Sequence, residues 1–194
     1  HALGSTYAGE PIANFGDFNC FSFQAIKHLT TGDGGLLVCK TKDDYERARR
    51  LRWFGIDRER DLADETGERQ YNLVELGYKY HMNDFAASLG LGNLHGVKER
   101  LVKRKMVAEY YDEQIGEFIT SRNRGSANWL YTILVPRRKD FIRMMKSKDI
   151  PVSVVHKGIV RKENGKDVNT IFGACPDLPV QRTWDESHIC LPCH

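Results

Sequence analysis

With 194 residues, 41% of them hydrophobic, the chain is long and apolar enough to bury a core, as one large domain or two small ones. Its 29 basic and 26 acidic residues nearly cancel to a formal net charge of +3, which argues against a dedicated nucleic-acid binder. No apolar run reaches the about 18 residues of a membrane span and no secretory leader is visible, so a soluble, cytoplasmic protein without membrane contact is expected.

The first predicted elements are two short strands around a lysine. Cys20, Phe21 and Phe23 form an apolar run, Lys27 follows alone, residues 30–35 make a small polar turn, and residues 36–38 are apolar again. A lysine held between apolar strands and a glycine-rich turn is partly desolvated, which lowers its pKa and leaves more free amine to attack a carbonyl. Gly34 and Gly35 let a ligand approach the backbone, and Ser22, five residues before Lys27, offers a hydroxyl to a phosphate. The plain alternative is a surface lysine in a hairpin.

The string SFQAIKHLTTGDGG over 22–35 resembles the cofactor-lysine signature of the DegT/DnrJ/EryC1/StrS family of sugar aminotransferases, which use pyridoxal 5'-phosphate (PLP). The resemblance implies an α/β fold of the PLP-dependent transferase type I, like aspartate aminotransferase. It also implies that Lys27 carries the cofactor and that Ser22 binds its phosphate. The opening residues, His1 to Tyr7, resemble the middle of a second family motif. There His1 takes the place of the residue near the cofactor's phenolic oxygen; otherwise it is a frayed terminal residue. The motif's aspartate, the upstream phosphate loop and the first strands would precede residue 1, so the chain is expected to match the second half of a family member.

Residues 41–54 predict a helix with acidic residues first, arginines last, and Gly55 as its stop. By the resemblance, residues 51–55 border the active-site cleft, which makes Arg52 a substrate-contact candidate. Residues 56–70 read as a charged loop. The stretch GYKYHMND over 77–84 resembles the family's GYNYRM, whose asparagine reaches the PLP phosphate of the neighbouring subunit. Lys79 stands at that asparagine's place and His81 at the arginine's. A lysine meets a phosphate as a point charge, so the role is either kept with different chemistry or lost.

Asn83 is a candidate N-cap for a helical region running to about 118. Leu91, Leu94, Val97, Leu101, Val102, Met106 and Tyr110 recur at helical spacing on one face, with Lys98, Arg100, Lys103, Arg104 and Lys105 read as a solvated face. The period then changes to a strand over 128–135, a helix over 140–147 and a strand over 151–155. The resemblance makes this the small C-terminal α+β domain. The expected organisation is 1–118, the C-terminal part of the large PLP-binding domain, and 119–194, the small domain, incomplete at its end.

His156 follows the last predicted strand, where family members carry a histidine in a loop lining the sugar site; it is a second substrate-contact candidate, or else a structural histidine. Residues 161–167 read as a charged, mobile loop. The five cysteines, Cys20, Cys39, Cys175, Cys190 and Cys193, lack framework spacing and are expected as free thiols. Cys190 and Cys193 make one CxxC beside His194 without a second pair, and no metal is expected.

The resemblance implies amino transfer to a keto group of a nucleotide-linked deoxysugar from an amino-acid donor, commonly glutamate, in a homodimer with shared active sites. A sugar-dehydratase branch of the family has histidine in place of the lysine, and Lys27 weighs against it. The alternative from another class is a catalytically inactive fragment that acts as a folded or partner-binding domain.

Overall fold

The computed structural model describes residues 1–71, 73–116, 125–156, 158, 161–168 and 178–193. Cys175 and His194 lie outside the described residues. The backbone divides into two compact units, 1–101 with 125–127, and 102–124 with 128–194.

In the first unit, strand β1 (Thr6–Tyr7) pairs with β2 (Glu10–Pro11) across Ala8 and Gly9, both at positive φ as the tightest hairpin turn requires. Strand β3 (Phe18–Ser22) runs antiparallel to β4 (Gly35–Cys39), in register from Phe18 opposite Cys39 to Ser22 opposite Gly35. This is the strand, loop, strand expected from the sequence. Phe21, Phe23 and Leu29 are buried there against Ala2, Leu3, Ile12, Ala13, Val38 and Val97.

Helix α1 (Lys42–Leu51) is capped by the Thr41 side chain, which accepts from the Asp44 amide, with Asp43 and Asp44 in its first turn and Arg49 and Arg50 in its last. It stops three residues before the expected end. Phe54 and Gly55 both take positive φ, and the Gly55 amide donates back to the Arg50 carbonyl at 2.9 Å, closing the helix end.

Helix α2 (Asp84–Leu94) starts where expected, with the Asn83 side chain accepting from the Ala86 amide at 2.9 Å. The single helical region expected over 83–118 is instead two helices, α2 and α3 (Val97–Ile115), broken at His95 and Gly96. Arg100 explains the break, because its guanidinium folds back and takes the Asn93 carbonyl near the end of α2. Of the apolar stripe only Val97 and Leu101 are half-buried, Val97 against the core just described. Leu91, Leu94, Val102, Met106 and Tyr110 are each more than half exposed, whereas Ala108 is fully buried.

In the second unit, α3 from Val102 onward packs with strand β5 (Tyr131–Leu134) and helix α4 (Arg138–Ser147), the expected strand and helix in shifted bounds. The charged stretch expected as a loop forms a hairpin, β6 (Arg161–Glu163) with β7 (Lys166–Val168), turning on Asn164 and Gly165 at positive φ. Helix α5 (Pro179–Ser187) leads into strand β8 (His188–Leu191), which pairs antiparallel with β5. Ala108, Tyr131, Ile133, Ile189, Leu191 and Cys193 form the core.

The strand expected over 151–155 is reduced to one bridge, Ser153 with Cys190 on the other edge of β8. Pro151 has no amide to donate, so pairing cannot extend to that end. No helix among the described residues is long and apolar enough to cross a membrane.

Candidate active site

The loop that carries Lys27 is closed at its base by one residue. The Phe23 amide donates to the Gly34 carbonyl, and the Phe23 carbonyl accepts from both the Thr31 amide and the Thr30 hydroxyl. Within the loop, the Lys27 amide donates to the Gln24 carbonyl, and the Gln24 side chain accepts from the Ile26 amide. His28 and Leu29 next to the lysine are buried. Their burial leaves the half-buried Lys27 side chain at the surface end of a fixed turn.

Lys27 Nζ lies 2.6 Å from His1 Nε2, and burial pushes the amine below the ordinary lysine value. Ser22 Oγ accepts from the Gln24 amide at 3.3 Å, which leaves its own hydrogen to donate. Gly34 has φ +143, and a Cβ there would stand 2.7 Å from Thr31 Oγ1; one at Gly35 would stand 2.9 Å from the Phe21 carbonyl. The two glycine positions that close the turn therefore have no room for a side chain.

The second motif is pressed backbone to backbone against the end of α1. The Tyr78 and Tyr80 amides donate to the Leu51 and Arg52 carbonyls, the Phe54 amide donates to Tyr78, and Trp53 bridges Lys79. A Cβ on Gly77 would overlap the Gly55 nitrogen, so this crossing depends on glycine. Side chains alternate along the extended segment. Tyr78 and Tyr80 stack at 4.9 Å, while the His81 ring meets Trp53 edge-on at 4.2 Å. The Lys79 side chain is exposed and makes no hydrogen bond or ion pair among the described residues.

Arg52 lines a cavity of about 330 Å³ with Arg49, Arg50, Arg58, Trp53 and His81. The arginines are not equally available. Arg49 pairs with Glu46 and Glu59, and Arg50 approaches Glu75, whereas Arg58 lies 5.2 Å above the Trp53 ring. His81 Nδ1 is buried without a partner among the described residues. The first unit thus holds Lys27, Ser22, His1, Lys79 and Arg52.

His156 belongs to the second unit, exposed, with its ring 5.6 Å from that of Trp129. It lines a cavity of about 420 Å³ with Gly158, Val180, Gln181 and Trp184. Cys190 and Cys193 are buried, their sulfurs at the Thr132 hydroxyl and the Arg104 carbonyl. No cluster of metal-ligating side chains occurs among the described residues.

Sequence reasoning missed the residues that hold the lysine loop. Arg100 Nε donates to the His28 carbonyl at 3.0 Å, Asn93 donates to the Thr30 carbonyl at 3.0 Å, and His28 Nε2 meets the Ala127 carbonyl at 2.9 Å. Arg104 likewise donates to the Asn128 and Trp129 carbonyls. Both arginines lie on the face expected to be solvated, yet they are half-buried and cap carbonyls. Their spacing carries no signal of this, because the acceptors are distant in sequence.

Comparison with known proteins gives a consistent result. The DegT/DnrJ/EryC1/StrS aminotransferase family matches residues 1–194. The UDP-4-amino-4,6-dideoxy-N-acetyl-beta-L-altrosamine transaminase of Campylobacter jejuni is 35% identical over 114 residues, 59% of this chain and 28% of that protein. Among solved structures, the sugar aminotransferase CalS13 from Micromonospora echinospora superposes with a TM-score of 0.84 at 30% identity, covering 98% of this chain and 51% of that one. The PLP-form of Spr1654 from Streptococcus pneumoniae gives 0.80 at 28%, covering 100% and 51%. The chain spans about half the length of the solved proteins it matches.

Proposed function

The chain belongs to the DegT/DnrJ/EryC1/StrS aminotransferase family and has part of the type I fold of PLP-dependent transferases; from that premise we propose that the whole protein transfers an amino group to a keto carbon of a nucleotide-linked deoxysugar, with an amino acid, glutamate in the first instance, as donor. The observation that carries this reading is the approach of the Lys27 amine to the His1 imidazole, 2.6 Å, at the end of the hairpin.

The residues present fit pyridoxal phosphate. A lysine amine with lowered proton affinity, a serine hydroxyl with a free hydrogen and two glycines, Gly34 and Gly35, with no room for a side chain suit an aldehyde, a phosphate and a flat ring in turn. When bound, the cofactor supplies an electron sink for the carbanion formed at the amine-bearing carbon.

Lys27 supplies the amine that binds the cofactor, and once free it holds and moves a proton at Nζ. His1 orients that amine. Ser22 donates its hydroxyl hydrogen to a phosphate oxygen. Lys79 brings a positive point charge to the phosphate held by a second subunit, where asparagine is usual. Arg52 and His156 are the two side chains proposed to contact the sugar nucleotide.

In this reading residues 1–118 are the C-terminal part of the large domain and 119–194 the small one, whereas the compact units of the backbone divide inside α3, after Leu101. The protein is a cytoplasmic homodimer. Leu76 and Phe85, 92% and 90% exposed beside the second motif, supply apolar surface for the second copy.

The test is the intact mass of the protein after PLP addition and borohydride reduction, followed by peptide mapping. A phosphopyridoxyl adduct on Lys27 is expected. An unmodified Lys27 in the whole protein rejects the reading in favour of a domain without catalysis.

A further inference from the structure

Asp185 is a buried carboxyl in the second unit that the proposed chemistry does not use, 7% exposed on the last turns of α5. Its Oδ1 accepts from the Gly158 amide at 2.8 Å and from the Gln181 side chain at 3.0 Å. The Gly158 amide is two residues beyond His156, so this bond ties the histidine's loop to α5. The fit at Gly158 is close on both sides. A Cβ there would stand 2.6 Å from Asp185 Oδ2 and 2.9 Å from Gln181 Nε2.

Helix α5 is itself held in place at this point. Arg138 from α4 donates to the Asp185 and His188 carbonyls. The His188 ring stacks on Trp184 at 5.3 Å, and its Nδ1 meets the Trp184 carbonyl at 2.7 Å. Trp184, Gln181, Gly158 and His156 line the same cavity of about 420 Å³. A fixed carboxyl thus sets where Gly158, two residues after His156, lies along that cavity.

The geometry points to Asp185 as a positioning residue for substrate binding. Through the Gly158 amide it holds the His156 loop against α5, and so fixes the imidazole that contacts the sugar nucleotide. This rests on the reading of His156 as a substrate contact. A buried carboxyl needs donors in any role, so the bond alone does not decide; a merely structural role would affect folding rather than substrate affinity.

The experiment measures steady-state kinetics of the whole protein loaded with PLP, using a UDP-linked 4-keto-6-deoxyhexose and glutamate, for D185A, D185N, G158A, H156A and the D185A/H156A pair. D185A and G158A are expected to raise KM for the sugar nucleotide about tenfold, as loss of one hydrogen bond to a charged group does, with kcat and cofactor absorbance unchanged. D185N retains an acceptor oxygen and is expected within about twofold of wild type. The double variant is expected to be no worse than H156A alone.

If H156A raises KM while D185A and G158A leave it unchanged, the positioning role is overturned and the reading of His156 stands. If H156A leaves KM unchanged, that reading fails and the inference falls with it. Should D185A not fold, G158A still decides. Equal loss of kcat and cofactor in D185A and D185N marks Asp185 as structural and overturns the proposal.

Discussion

The Nζ atom of Lys27 stands 2.6 Å from Nε2 of His1, twenty-six positions away in the chain. At that distance the two nitrogens share one hydrogen, and only one of them donates along the line between them. Burial opposes the charged amine in the same place. A proton is therefore held less firmly on this lysine than on a solvated one.

The pH dependence of lysine reactivity tests this. A lowered pKa means that the uncharged amine appears at a lower pH, so the acylation rate of Lys27 should rise earlier on the alkaline side than that of exposed lysines. Competitive labelling with acetic anhydride across pH, read by peptide mass, gives each lysine's midpoint. A Lys27 midpoint at the ordinary lysine value would remove the desolvation argument.

Replacing the amine tests its chemistry. Lys27→Arg keeps a cation but has no nucleophilic, deprotonable nitrogen at neutral pH. Positioned proton transfer contributes about 10²–10⁴-fold, so turnover by the whole protein should fall by at least about 10². Borohydride trapping should yield no adduct at position 27, while urea unfolding of this half-buried site should change little. Retained turnover would reject Lys27 as the reacting group.

Arg100 holds the lysine loop from α3. Its Nε donates to the His28 carbonyl and its Nη2 to the Asn93 carbonyl, two bonds from one planar fork. Arg100→Ala leaves both carbonyls short of a donor, at a cost of about 1.5–3 kcal/mol. Arg100→Lys should rescue little, since a single ammonium does not reproduce the fork. Urea unfolding gives the stability, and the rate of PLP attachment to Lys27 should drop in both variants. An unchanged attachment rate in Arg100→Ala would show that the loop holds itself.

Local chemistry made some of this architecture legible from the chain alone. Asn83 is a cap whose side chain reaches an amide three residues on, and it acts as the sequence suggests, while Thr41, read there as the first residue of a helix, caps α1 in the same way. The β3–β4 hairpin follows from apolar runs on either side of a glycine turn. Asn164-Gly165 was an equally local signal, the dipeptide that tight hairpins require, but the charges around it favoured a loop. Pro179 at the start of α5 was another.

Long-range partners were not legible. Nothing near Arg100 in sequence identifies His28 as its acceptor, and nothing near Asp185 identifies Gly158. Helical periodicity misled for a related reason. It reports which face is apolar, but Leu91, Met106 and Tyr110 remain exposed although they belong to that face. The site residues came from the motif rather than from periodicity, because lysine and serine at a fixed spacing carry chemistry that packing patterns do not.

The two motif segments meet at glycines, and a pair of substitutions separates packing from propensity. A Cβ on Gly77 would overlap the Gly55 nitrogen and the Phe54 carbonyl carbon, both backbone atoms that no rotamer change can move. Gly77→Ala must therefore push apart the strand-like crossing that aligns Lys79 with Trp53, and should destabilise by about 3 kcal/mol. Gly92, in contrast, is inside α2 with nothing within 4 Å of an added Cβ. There alanine relieves the entropic penalty of glycine in a helix, and Gly92→Ala should stabilise by about 1 kcal/mol. Urea unfolding of both variants gives the two signs directly. The fluorescence of Trp53, which the His81 ring meets edge-on, should change in Gly77→Ala and not in Gly92→Ala. If Gly77→Ala unfolds at the wild-type urea midpoint, the backbone crossing is looser than the geometry requires, and Lys79 loses its fixed place beside α1.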